Sequence, residues 1–379
     1  MPTHQRTNDI TSFLVMDIVK KARKYKDAIH FEVGQPDLSP SPNVKKALIQ
    51  AIHNNQFAYT ESLGLRELRV KIQQHYKNSY GVKINQENIL ITPGTSGAFL
   101  IAYSLTCDYG QKLGFSDPGY PCYKNISHLL NIKPITINVH QDTNFQITSK
   151  HLKDIKIDTL QISNPANPTG NIYNTQDLKE LINYCQKENI HFISDELYHG
   201  LVYNEPITTA LSFSDNLFVI NGFSKYYCMP GFRIGWIIVP NKFIKKAEEI
   251  AQNIFISATT LSQYAAIEAF DYTYLNKINA IFKERRDYLY HELKKLFVIP
   301  KFPQGAFYIW ADISQYSDDS FTFANELFDK TKVAVTAGLD FGDNQTHKYI
   351  RFAYTIDIEL MKEGIARIET FLKERESTY

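Results

Sequence analysis

The sequence predicts an α/β fold: a large domain with a mainly parallel sheet sandwiched by helices, and a smaller α+β domain drawn from both ends of the chain. Three observations carry this. From about residue 89 onward, short apolar runs alternate with longer helical patterns, the rhythm of strands joined by crossover helices. Runs such as "LFVI" and "RIGWIIV" are rich in Ile, Val and Phe without polar alternation, as expected of strands covered on both faces. Beyond Asn241 the pattern changes to long helices and a few short strands.

In chain order, "FLVMDIV" near the N-terminus reads as an amphipathic helix. It is broken by Asp17 and followed by the basic run "KKARKYK", the reverse of a secretory signal. "ILIT" is a strand and "SGAFLIAYSLTC" its helix; "KLGFS", "YPCYKNISHLL" and "PITINV" repeat the unit. "TLQIS", a helix over residues 175–187, "HFIS", "LFVI" and "RIGWIIV" continue it. Then "NKINAIFKERRDYLYHELKKLF" gives a long helix whose charges form a solvated face. "GAFYIWADI", "VAVTAG", "YIRFAYT" and a last helix close the chain. The expected division is 45–275 for the large domain and 1–44 with 276–379 for the small one. No repeat or linker marks the boundary.

Composition removes several function classes. The 41 Lys plus Arg balance 40 Asp plus Glu, so no broad basic surface invites nucleic acid or an anionic membrane. No apolar run approaches the roughly 20 residues that span a bilayer. Cys107, Cys122, Cys185 and Cys228 stand far apart with no CxxC pair, which argues against zinc and a disulfide frame and for a reducing, cytoplasmic setting. GxGxxG, GxxxxGK[ST] and HExxH are absent; His191 and His199 read as packing or surface residues, and no metal is expected.

In such sheets ligands collect where strands end. After "ILIT" comes "PGTSGAF", whose Ser96 and Gly97 open a helix able to hold a phosphate on free N–H groups. After "TLQIS", "NPANPTG" presents Asn167 as a donor. After "HFIS" come Asp195 and Tyr198, and after "LFVI" come Ser224, Lys225 and, at the next strand, Arg233. Singly these residues are caps, turns and snorkelling cations. As an ordered series they suit one ligand, pyridoxal 5′-phosphate. Lys225, desolvated beside other cations, is the amine to join its aldehyde. Asp195 keeps its ring nitrogen protonated. Tyr198 and Asn167 bond its phenolic oxygen; Arg233, Ser224, Ser96 and Gly97 hold its phosphate.

In this order the motifs resemble the class I/II pyridoxal-phosphate aminotransferases, aspartate/aromatic subgroup, over nearly the whole chain. "NPANPTG", "SDELYHG", "FSKYYCMPGFRIGW" and "YIRFAY" carry the resemblance most strongly. It implies the fold-type I architecture, with Arg351 clamping the substrate carboxylate. It also implies Gly34, in "FEVGQPDLSP", beside the substrate and Tyr120, in "DPGYPCY", stacked on the cofactor. Tyr59, in "YTESLGLRELR", is implied to reach a neighbouring subunit's cofactor, making the active unit a homodimer. The expected reaction is amino transfer between an L-amino acid and a 2-oxo acid such as 2-oxoglutarate. The alternative is a carbon–sulfur β-lyase using the same residues. Two features depart from the family pattern: Gly222 stands where many relatives carry a hydroxyl residue, and no basic residue lies near Ser96, where some aspartate-selective relatives have one.

Overall fold

A computed structural model of the chain describes residues 5–376. Its strands are β1 (Ile29–His30), β2 (Ile89–Thr92), β3 (Lys112–Asp117), β4 (Lys133–Asn138), β5 (Thr159–Ser163) and β6 (His191–Asp195). They continue with β7 (Phe218–Gly222), β8 (Gly235–Ile238), β9 (Tyr308–Asp312), β10 (Val333–Ala334), β11 (Thr336–Ala337) and β12 (Tyr349–Ala353). Seven form the main sheet in the order β2-β8-β7-β6-β5-β3-β4. Only β8 runs against its neighbours, pairing antiparallel with both β2 and β7. The C-terminal ends of β2, β3, β5, β6 and β7 therefore share one edge with the start of β8.

The unbroken apolar runs have a direct cause. Successive side chains on a strand point to opposite faces, and each face here has its own core. Ile89, Ile91, Phe192, Val219, Trp236 and Ile238 enter one. Leu90, Ile193, Phe218, Ile220 and Ile237 enter the other. Strand β4 is the exception, an edge strand whose Lys133 and Asn138 face solvent. The helix Thr175–Lys187 matches its predicted bounds: Asn174 caps it by accepting from the Asp177 N–H at 2.8 Å, and Leu178, Leu181, Ile182 and Cys185 form its buried stripe. The helix Gly94–Thr106 is apolar nearly all round, because it lies between the sheet and a further helix, Ile244–Ile254.

A third core joins the two ends of the chain. Ile29 and Phe31 pack with Ile278, Phe282, Ile309, Val333 and Phe352, and β1 pairs in parallel with β10, Ile29 opposite Val333. The Ala353 N–H also donates to the Phe31 carbonyl at 2.6 Å. These bonds fix the segment that follows, and so carry Gly34 to the edge where the main-sheet strands end.

Candidate active site

A cavity of about 580 Å³ opens at that edge. Of the twelve residues singled out from sequence, ten line it: Gly34, Ser96, Tyr120, Asn167, Asp195, Tyr198, Ser224, Lys225, Arg233 and Arg351. Two do not. Gly97 is buried in the first helical turn, where an added Cβ would meet Pro93 and Phe255, so only its backbone N–H is available to the site. Tyr59 is 77% exposed and does not line its own chain's cavity.

Lys225 follows β7 by three residues, and its Nζ donates to the Gly34 carbonyl at 2.6 Å. The amine lies between the Tyr198 and Phe307 rings, 5.9 and 5.8 Å from their centroids. Burial, then Arg351 and Arg233, push its pKa down from 10.5 to about 8, with Asp195 opposing. A much larger share of the amine is therefore neutral near neutrality than for an exposed lysine, which is what a nucleophile requires.

Asp195 is the last residue of β6, opposite Ser163 of β5 and Ile220 of β7. Burial pushes its carboxyl up to about 6, while the Tyr123 hydroxyl, the Leu197 N–H and Lys225 pull it back. Tyr123 donates to Oδ2 at 2.6 Å and Leu197 N–H to Oδ1 at 3.1 Å. The Tyr198 hydroxyl pairs with that of Tyr308 at 2.8 Å.

Arg233 adopts φ 51°, in the left-handed region, and its guanidinium lies against Gly94. Gly94 has φ +69°, which favours glycine, and a Cβ there would fall 2.6 Å from Arg233 Nη2, so any larger residue would make the guanidinium move. The helix beginning at Gly94 has no side-chain cap, leaving its first N–H groups unclaimed by protein side chains. At Gly222 an added side chain would meet Thr95 Cγ2 at 3.2 Å; Thr95 fills that space and itself lines the cavity, bringing a hydroxyl residue from the helix.

Arg351 lies on β12 opposite Trp310 of β9 and is 5% exposed. Nη1 donates to Asn167 Oδ1 at 2.9 Å, which leaves the Asn167 NH2 as a donor; Nη2 donates to the Glu32 carbonyl at 3.0 Å and Thr336 Oγ1 at 3.2 Å. Nε is buried without a partner among the described residues. The guanidinium lies 4.2 Å from the Tyr308 ring centroid and 4.7 Å from that of Phe341. Gly34 makes room: a Cβ there would stand 2.7 Å from the Tyr308 oxygen and 3.7 Å from Arg351 Nη2.

Sequence reasoning missed Thr95, Tyr123, Tyr308 and the wall formed by Phe13, Val15, Met16 and Val19. The aromatic segment "DPGYPCY" was the one signal that could have exposed Tyr123.

An uncapped helix end beside Arg233, a buried carboxylate, a lysine of lowered basicity and a guanidinium with an unpaired nitrogen suit a phosphate-bearing heterocyclic aldehyde together with a carboxylate. The class so defined is the pyridoxal-phosphate enzymes. The family model for class I and II aminotransferases matches residues 26–368, and the chain belongs to that family. It is 32% identical to a valine–pyruvate aminotransferase of Mycobacterium tuberculosis, over 96% of this chain and 97% of the relative. It is 36% identical to a (5-formylfuran-3-yl)methyl phosphate transaminase of Methanocaldococcus jannaschii, over 98% and 99%. A crystal structure of an aminotransferase from M. tuberculosis, 32% identical, superposes with a TM-score of 0.95 over 99% of this chain and 100% of that one. The protein is thus a fold-type I, pyridoxal-phosphate-dependent aminotransferase of the aspartate/aromatic kind. Among the described residues no helix is long and apolar enough to cross a membrane.

Proposed function

We propose that the enzyme moves the amino group of an L-amino acid with an apolar side chain to a 2-oxo acid such as 2-oxoglutarate, working as a homodimer. One observation carries the reading. The Lys225 amine and the Arg351 guanidinium flank the same residue, Gly34, at its carbonyl and at its Cα respectively. A reacting carbon bonded to a carboxylate suits an amine and a guanidinium that meet at one residue, and this is the defining feature of an α-amino acid.

In this reading Arg351 grips the carboxylate and fixes the α-carbon, and the Lys225 Nζ takes the α-proton and returns it as general base and acid. Bound pyridoxal phosphate supplies an aldehyde to receive the amino group and a protonated ring to draw electrons from the bond being broken. Arg233, Thr95, Ser96, Ser224 and the helix end hold its phosphate; Asn167 and Tyr198 bond its phenolic oxygen; Tyr120 covers its ring; Asp195 holds the proton on its nitrogen. The wall of Phe13, Val15, Met16, Val19 and Phe341 supports an apolar donor, although Arg23, His30 and Glu32 line the same cavity. The name of the M. tuberculosis relative, a valine–pyruvate aminotransferase, agrees with that choice.

The homodimer is supported by exposed apolar side chains, among them Phe57 and Tyr59, 61% and 77% exposed, and Ile254 and Ile256. Thr260 Oγ1 ties their loop to the neighbouring helix through the Ala58 carbonyl at 2.8 Å. Such apolar surface beside a site marks an interface. The test is a panel of amino acids assayed against 2-oxoglutarate and pyruvate, with parallel-line kinetics expected for two half-reactions. Lys225→Ala is expected to abolish both the cofactor's protein-bound absorbance and turnover; retained turnover refutes the assignment.

A further inference from the structure

We propose that Tyr123 is a positioning residue for the transamination: its hydroxyl keeps Asp195 a carboxylate and aims it at the cofactor's ring nitrogen. The inference rests on the assignment of Asp195 above.

The geometry is specific. Tyr123 is buried on the helix Cys122–Leu129, lines the cavity, and donates to Asp195 Oδ2 at 2.6 Å. Among the described residues this is the single side-chain hydrogen bond that Asp195 receives, the other being the Leu197 N–H. The rest of the surroundings work against a charge or stay neutral. Neighbouring Glu196 is pushed up to about 7, first by burial and in smaller part by Asp195 itself, so it brings no favourable charge. Tyr103 gives its hydroxyl to Gln161 Oε1 at 2.5 Å and not to Asp195. Cys122 is pushed up to about 11 by burial and by Asp195, and Tyr120 is pushed above the usual phenol range by burial; both remain neutral. Lys225 alone offers a favourable charge, and its amine would be committed to the aldehyde of a bound cofactor. Tyr123 is then the one fixed donor left on the side chain. Its ring also meets Tyr120 edge-on, centroids 5.5 Å apart at 85°, so the residue that steers the carboxylate also braces the ring expected to cover the cofactor.

A buried carboxylate that loses its donor shifts toward the neutral acid, and a neutral acid does not hold the ring nitrogen protonated. The test uses Tyr123→Phe in the cofactor-loaded enzyme, read by absorbance. A ring without its proton is a weaker electron-withdrawing group, so the pH midpoint of the bound cofactor's visible band is expected to move up by about one unit. The cofactor is expected to be held about tenfold more weakly, the loss of one hydrogen bond to a charged group. The same pair of proteins is then loaded with N-methylated pyridoxal phosphate, whose ring charge is permanent; the difference in midpoint is expected to vanish.

An unchanged midpoint with the natural cofactor overturns the proposal, as does a shift that persists with the methylated one. Should Tyr123→Phe fail to fold, 3-fluorotyrosine at position 123 gives the opposite arm: a stronger donor, and a midpoint moved down. No movement there also overturns it. If the unsubstituted enzyme shows no cofactor band at all, the assignment of Lys225 and Asp195 falls with it, a result distinct from any of these.

Discussion

Replacing Arg351 with lysine tests the substrate clamp most directly. The native guanidinium is fixed by three hydrogen bonds, to Asn167, Glu32 and Thr336, and lies over the Tyr308 and Phe341 rings. Those bonds leave the Nε–H and one Nη1–H to meet a carboxylate. A lysine keeps the charge but offers a compact ammonium that bonds one oxygen at a time and leaves the space between the rings unfilled. A hydrogen bond to a charged group contributes about 1.5–3 kcal/mol. Losing one therefore weakens substrate binding by about 2 kcal/mol, a factor of roughly 30. The carboxylate carries the same charge before and during proton removal, so the loss falls on KM and leaves kcat within a few-fold. The assay is initial rates over a range of amino-acid concentrations, beside a primary amine that has the same side chain and no carboxylate. The variant is expected to lose its preference for the amino acid over that amine. An unchanged KM, or a fall in kcat with KM intact, refutes the assignment of Arg351.

Two further outcomes follow from the phosphate end and the surface. Gly94→Ala places a methyl 2.6 Å from Arg233 Nη2 at a positive φ; it is expected to displace the arginine and raise the cofactor dissociation constant at least tenfold by equilibrium dialysis, and unchanged retention contradicts the role given to Arg233. Phe57→Asp puts a charge into the exposed apolar surface that includes Tyr59 and is expected to convert the proposed dimer to monomers in sedimentation velocity, with loss of cofactor; monomeric native enzyme with full activity refutes the shared site.

The legible part of this molecule was local. Asp195 ends a strand and Lys225 follows one by three residues, so the apolar runs that mark β6 and β7 also mark the places where ligand groups emerge. Both faces of the sheet are covered, which is why the runs were unbroken and easy to find. The illegible part depended on contacts between distant segments. Nothing near Tyr123 in sequence says that its hydroxyl meets Asp195, 72 residues away, or that Tyr308 meets Tyr198 from 110 residues away. Strand β1 has two residues, too few for any periodicity, and its partner is β10. Gly222 read as a missing hydroxyl; in space, Thr95 stands in the gap.

The parallel pairing of Ile29 with Val333 also sets the order in which the enzyme can be completed. At about 5–20 residues per second, a strand near the start of a nascent chain waits roughly 15–60 seconds for a partner some 300 residues behind it. By then the stretch that carries Asp195 and Lys225 has left the ribosome, while the one that carries Arg351 has not. With the roles proposed for Lys225, Asp195 and Arg351, a nascent polypeptide would present the aldehyde-binding floor well before the substrate's clamp, and a truncation ahead of β10 would remove that clamp.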